Sequence, residues 1–220
     1  MFTSQKKQIH RIAASSVLSM CFFATFILSP PSAVGREYRD QPSPTSPSSP
    51  TPSQSSTPST FCASTRTGQV RNFNHENCPN HWLNLGNAAI SRSTNRPKSI
   101  NPYLANRIRA AQIAANQKQF NIGITSAWRS LTEQTRIYNK AITKYKSAKE
   151  ANNWVLPPQQ SMHPWGLAVD VHFGSQRAAN WFKKNSSVFG LCRMYKNEWW
   201  HFEPVIAPGG RCPKLKNHAG

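Results

Sequence analysis

Acidic residues are nearly missing from this chain. Only eight of its 220 residues are Asp or Glu, against 27 Lys and Arg, for a formal net charge of +19. A carboxylate beside a histidine is therefore seldom accidental here. The imbalance also asks for a polyanionic neighbourhood. No aromatic-basic motif of the kind that reads RNA or DNA accompanies it. An anionic wall polymer or membrane surface fits better than nucleic acid. Cysteines at C-x-x-C spacing are absent too, which argues against a thiolate metal site. Residues 41–60 lack charged, aromatic and aliphatic side chains, being built only of Pro, Ser, Thr and Gln. Such a stretch cannot bury apolar surface and is expected to be a disordered, semi-extended tether.

What is present divides the chain in three. Lys6, Lys7 and Arg11 precede an apolar run from Ile12 to Leu28, and small residues follow up to Gly35. That layout predicts a secretory signal over 1–35, or an uncleaved anchor, since the run is about as long as a short membrane span. Residues 36–60 read as the linker and 61–220 as one domain, long enough to form a core. The domain holds Cys62, Cys78, Cys192 and Cys212. An even number in an exported chain reads as two disulfides. Of the three connectivities, proximity in sequence favours Cys62 with Cys78 and Cys192 with Cys212.

Within the domain, Asn101-Pro102 is a helix cap with Pro in the first turn, and Leu104, Ile108, Ala111 and Ala115 continue at helical spacing to about Gln119. Residues 120–126 read as a strand. Ser130-x-x-Glu133 is a capping box opening a second helix. A loop over 152–160, a strand over 166–173, a helix capped by Ser175 and strands over 188–195 and 199–203 complete the pattern. The fold class is α+β, a small, mostly antiparallel sheet with flanking helices.

Two stretches carry chemistry. The first, Ser161 to Asp170, offers His163 and Asp170; the second, Glu198-Trp-Trp-His201, offers a carboxylate and another imidazole. Two His and one Asp suit a catalytic zinc that keeps a fourth position open, and Glu198 would be the base. Seven residues of helix would hold His163 and Asp170 roughly 10 Å apart, so the chain must turn back between them, at Pro164 and Gly166. His172 would share Asp170's face of a strand and is an alternative ligand.

Ser161-x-His163-x-x-Gly166-x-Ala168-x-Asp170 followed by Glu198-x-Trp200-His201 resembles the zinc D-Ala-D-Ala carboxypeptidase family, which includes vancomycin-resistance enzymes and shares its fold with the Hedgehog signalling domain. Thr125 to Ser130, then Glu133-Gln134, is similar to the family's arginine-bearing segment. The resemblance implies a Hedgehog/D,D-peptidase-like fold, Zn²⁺ on His163, Asp170 and His201, Glu198 as catalytic base, and Arg129 as a substrate-contacting, catalytic residue. Ser161, Gln134 and Trp165 are further candidates for binding substrate. The implied function is that of an exported carboxypeptidase acting on peptidoglycan stem peptides. Cleavage as an endopeptidase or L,D-carboxypeptidase, or wall binding without catalysis, are the alternatives. Residues 61–99 match nothing in that pattern.

Overall fold

The computed structural model describes residues 58–220. The signal or anchor and most of the linker lie outside the described residues. Two small antiparallel sheets organise the domain. The first is built from β1 (Thr60–Ser64), β2 (Val70–Phe73) and β3 (Trp82–Gly86) in the order β2-β1-β3. The second, which carries the chemistry, runs β4 (Ile122–Ser126), β5 (Val169–Phe173), β7 (His201–Glu203), β6 (Cys192–Arg193). Four helices complete the domain: α1 (Pro102–Asn116), α2 (Leu131–Tyr145), α3 (Ala148–Asn152) and α4 (Gln176–Asn185). The α+β expectation is met, with two sheets in place of one. Among the described residues, no helix is long and apolar enough to cross a membrane.

The caps fall where the sequence placed them. Asn101 accepts from the amides of Tyr103 and Leu104, Ser130 from Glu133, and Ser175 from Ala178, each satisfying orphan donors of a first turn. Leu104, Ile108, Ala111 and Ala115 of α1 are buried with Ile122, Val169, Val171, Phe182 and Phe202. These strand residues alternate with the polar ones, so one sheet face is core and the other is free to hold a site.

Three expectations need correction. The 199–203 strand is only His201–Glu203, because Trp199 and Trp200 form a turn closed by the His201 amide on the Glu198 carbonyl at 3.3 Å. The 188–195 strand shrinks to Cys192–Arg193, since residues 186–189 wind into a 3-10 turn ended by Gly190 at φ +72°. The 166–173 strand begins at Val169. Both disulfides pair as sequence proximity favoured, Cys62 with Cys78 and Cys192 with Cys212.

Arg107 is fully buried on the apolar stripe of α1 and pairs with no carboxylate. Its guanidinium donates to the carbonyls of Leu85, Ala88, Gly190 and Ile206 at 2.6–3.1 Å. One side chain thereby joins the end of β3 to two later loops. Burial lowers its pKa to about 10, so it stays charged.

Candidate metal centre

The backbone brings the functional side chains together in a definite order. In the β5–β7 ladder Asp170 lies directly opposite His201, and in the β4–β5 ladder it lies opposite Ser126. Three residues beyond Ser126 comes Arg129. His163 enters through a 3-10 turn over His163–Trp165, closed by Gly166 at φ +66°. A side chain at Gly166 would meet the Ser99 carbonyl at 2.5 Å. Glycine is therefore required twice, for the left-handed turn and for the close approach. This is the reversal that the His163–Asp170 spacing demanded.

His163, Asp170 and His201 are all buried, and one donor atom from each lies within 4.8 Å of the others. His163 Nε2 is 3.3 Å from Asp170 Oδ2, and His201 Nδ1 is 3.0 Å from Asp170 Oδ1. Donors at zinc–ligand distances of about 2.0–2.1 Å in a tetrahedron are separated by about 3.3 Å. The donor types fit zinc, and each histidine nitrogen lies near that separation from one of the two Asp170 oxygens. The outward nitrogens are also committed. His163 Nδ1 faces the Ala127 carbonyl, and His201 Nε2 faces Glu203 Oε1 at 3.0 Å. Such partners fix the tautomer and ring orientation of a ligating histidine, leaving Nε2 of His163 and Nδ1 of His201 turned towards Asp170.

Electrostatics separate the groups. Burial pushes the His163 pKa down, against the pull of Asp170. Burial acts the same way on His201, but hydrogen bonds to Asp170 and Glu203 override it and raise its pKa to about 9 in the metal-free protein. Burial works to raise Asp170, yet the hydrogen bonds of the two histidines hold it well below the ordinary carboxylate range. Glu198 is the contrast. Burial raises it to about 7, with its Oε2 3.9 Å from His201 Nδ1. Two carboxylates, one held ionised and one poised near neutrality, are suited to ligation and to proton transfer respectively.

Arg129 is pinned at three points. Its Nε donates to Ser126 Oγ at 2.8 Å, Nη1 to Gln134 Oε1 at 3.2 Å, and Nη2 to Asp170 Oδ2 at 2.6 Å. Gln134 is buried and anchored in turn on the Leu156 carbonyl. Ser161 Oγ accepts from the His163 amide at 3.4 Å, which shapes the turn.

These groups line one cavity of about 220 Å³, which includes Arg129, Gln134, Ser161, His163, Asp170, Glu198 and His201. Two expected residues fall elsewhere. Trp165 is not among the lining residues and instead stands under Arg92 and Arg96. His172 is exposed, with its Nδ1 3.4 Å from Thr125 Oγ1, outside the metal-donor group. The cavity also takes in Trp200 of the second motif and recruits residues that the motifs did not name: Met162, Trp154, Tyr195, Glu203 and Ala219. Glu203 could have been found by strand periodicity, since it lies two residues beyond His201. Tyr195 tilts over the His201 ring at 5.6 Å, and its hydroxyl pKa is raised by burial and by Glu203 and Glu198. A larger groove of about 480 Å³ beside Asn84, Gly86 and Tyr103 holds none of these groups.

Residues 97–204 match the family model described as VanY, D-alanyl-D-alanine carboxypeptidase. A D-alanyl-D-alanine carboxypeptidase of Enterococcus faecalis (strain ATCC 700802 / V583) is 31% identical over 129 residues, covering 48% of this chain and 47% of that relative. The match thus spans about half the length of that protein. Solved structures with similar folds include the vancomycin-resistance D,D-pentapeptidase VanY of a VanB-type cassette with Zn(II), at 22% identity and TM-score 0.44 over 52% of this chain and 78% of that one. They also include the LdcB LD-carboxypeptidase, at 23% identity and TM-score 0.44 over 53% and 65%, and the L,D-carboxypeptidase DacB from Streptococcus pneumoniae, at 20% identity and TM-score 0.44 over 59% and 79%.

Proposed function

We propose that this chain, whose residues 97–204 match the family model of the VanY D-alanyl-D-alanine carboxypeptidases, is an exported, zinc-dependent carboxypeptidase. It would trim peptidoglycan stem peptides by removing a terminal D-alanine. The observation that carries the reading is the buried His163–Asp170–His201 donor group with Glu198 on the same cavity wall. The two disulfides support an oxidising, extracytoplasmic compartment.

His163 Nε2, a carboxylate oxygen of Asp170 and His201 Nδ1 would hold the zinc. When bound, it supplies Lewis acidity towards water and the scissile carbonyl. Glu198 as a carboxylate accepts a proton from the attacking water and delivers it to the leaving amine as the C–N bond breaks. The burial that raises its pKa makes it both a competent base and, once protonated, a competent acid. Arg129 presents a planar donor pair to the substrate's terminal carboxylate, held in place by Gln134 and Ser126.

The test is mass spectrometry of defined pentapeptide and tetrapeptide stems incubated with zinc-loaded wild type and with Glu198→Gln. The expected result is loss of one alanine from the pentapeptide by wild type alone. Loss from the tetrapeptide only would reassign the bond as L,D, and an internal cut would make the enzyme an endopeptidase. Zinc and wall binding with no cleavage of any stem would leave a binding module.

A further inference from the structure

Among the described residues, two arginines are fixed together at one place. Segment 87–101, between β3 and α1, is irregular yet anchored against the catalytic half of the domain. The Ile90 amide donates to the Pro204 carbonyl at 2.9 Å, and Trp128 Nε1 donates to the Pro97 carbonyl at 3.0 Å. From this segment Arg92 and Arg96 reach the same indole. Their guanidinium carbons lie 5.3 Å and 4.3 Å from the centre of the Trp165 ring. Arg92 also donates through Nη2 to the Gln160 carbonyl at 2.9 Å and rests Nε and Nη2 on Met162 Sδ at 3.4 and 3.3 Å. Arg96 Nη1 donates to the Pro158 carbonyl at 3.4 Å.

We propose that Arg92 and Arg96, braced on Trp165, form a subsite for a free carboxylate that the stem peptide carries two or three residues before the cleaved bond. The proposal rests on the carboxypeptidase reading above and names a feature of its substrate.

Three observations support it. Arg92 borders the catalytic cavity, because Met162, which it touches, is itself a wall of that cavity, and Arg96 shares the same indole. Among the described residues no carboxylate pairs with either arginine; the ion pairs there involve only Asp170, Glu133, Glu198 and Glu203. The guanidiniums are also pre-ordered. Stacking on an indole and bonding to backbone carbonyls restrict both side chains in advance, while leaving Nη1 of Arg92 and Nε and Nη2 of Arg96 without an acceptor among the described residues. Planar, positioned guanidiniums match a carboxylate in shape and charge. The entropy of ordering them is already spent before substrate arrives. Each extended residue advances a peptide by about 3.3–3.6 Å, so a group two or three residues upstream clears the cavity and meets its rim. Two cations gathered on one ring suit a single anionic group better than a continuous polymer track.

The experiment uses two stem pentapeptides identical except that one upstream residue carries a free α-carboxylate in the first and a carboxamide in the second. Zinc-loaded wild type should favour the acid in kcat/KM by about tenfold, the scale of one charge-assisted contact pair, with the difference in KM. The double variant Arg92→Gln with Arg96→Gln should lose that preference to within about twofold while keeping kcat on the amide peptide. Calorimetric binding of both peptides to Glu198→Gln, with and without the arginine changes, reads the subsite even if no stem is cleaved. A failure of the parent reading shows only in the turnover arm. Equal affinity of the parent for acid and amide overturns the proposal. An equal loss on both peptides in the arginine variant overturns it as well, making the pair a prop for the loop. If the variant keeps the peptide preference but loses binding to poly(glycerol phosphate), the occupant is a wall phosphate and the proposal fails.

Discussion

Glu203 makes the sharpest prediction, because its role depends on one hydrogen bond. Its Oε1 lies 3.0 Å from His201 Nε2, while His201 Nδ1 faces Asp170 Oδ1 at 3.0 Å. The carboxylate accepts from Nε2–H, so the lone pair that can bind a metal is on Nδ1. Glu203→Gln can keep an acceptor there but removes the negative charge; Glu203→Leu removes both. Partners of ligating histidines contribute 10–100-fold to metal affinity, equivalent to about 1.4–2.8 kcal/mol. The Gln variant should fall near the lower end and the Leu variant near the upper. Competition for zinc against a chromophoric chelator measures this without any turnover. A second readout is the ring-nitrogen spectrum of His201 in the metal-free protein. Its pKa is raised to about 9 by Asp170 and Glu203 against burial. The stability this contributes is full below about 6.5, the unfolded value, and is lost as pH rises through about 9. In Glu203→Gln both the titration and the window of loss should move down. Zinc affinity within twofold of wild type in both variants, with an unmoved His201 titration, would refute the reasoning and leave Glu203 a buried acid of the core.

Three further outcomes are expected. Arg129→Lys should lower kcat/KM at least tenfold with zinc retained, since an ammonium cannot reproduce the fork that now reaches Ser126, Gln134 and Asp170. Steady-state kinetics beside elemental analysis will check it. Turnover should fall on the acid side as Glu198 protonates. Its pKa is about 7 without metal and lower beside a cation, so the midpoint in a pH–rate profile belongs at or below that value and should be missing from Glu198→Gln. Removing the Cys192–Cys212 bridge, which spans 20 residues, should cost about 3 kcal/mol in the chain-entropy model, visible as a lower Tm by calorimetry.

The site was more legible than the fold around it, and the reason is chemical. Zinc chemistry restricts residue type, so His163, Asp170, Glu198 and His201 stood out in a chain with few acids. The turn between His163 and Asp170 could be inferred because no regular element lets both reach one ion. Arg129 was marked by its place between a strand and a capped helix. His172 shows where periodicity misleads. It shares Asp170's face of β5, but a step of two residues carries it about 6.6 Å along the strand, to an exposed position beside Thr125. The first sheet was illegible because its strands alternate weakly and residues 61–99 match no motif, whereas the equally short strands of the second sheet are flanked by motif residues. Arg107 was not marked by the sequence, for another reason. A charge on a helix reads as solvated, and its four carbonyl acceptors come from segments far apart in sequence.

Glu203 lies between these cases. As one of only eight acids and a close neighbour of His201, it reads as lying in or beside the site; strand geometry adds its role, because it puts residue i+2 on the face of residue i, and in β7 residue i is a histidine whose second nitrogen needs an acceptor. The ligand and its partner are thus encoded by one local rule, provided that the segment is known to be a strand. Residues 199–203 already read as a strand, which put Glu203 on the face of His201; the structure shortens it to His201–Glu203, with Trp199 and Trp200 forming the turn that sets Glu198 and His201 on one cavity. The first layer of such a site is read from residue type, and the layer behind it becomes readable only once the register is fixed. The Glu203 variants therefore test the register as much as the residue. If β7 were shifted by one position, Glu203 and His201 would both turn to the core face, and neither substitution would change the protein's hold on zinc.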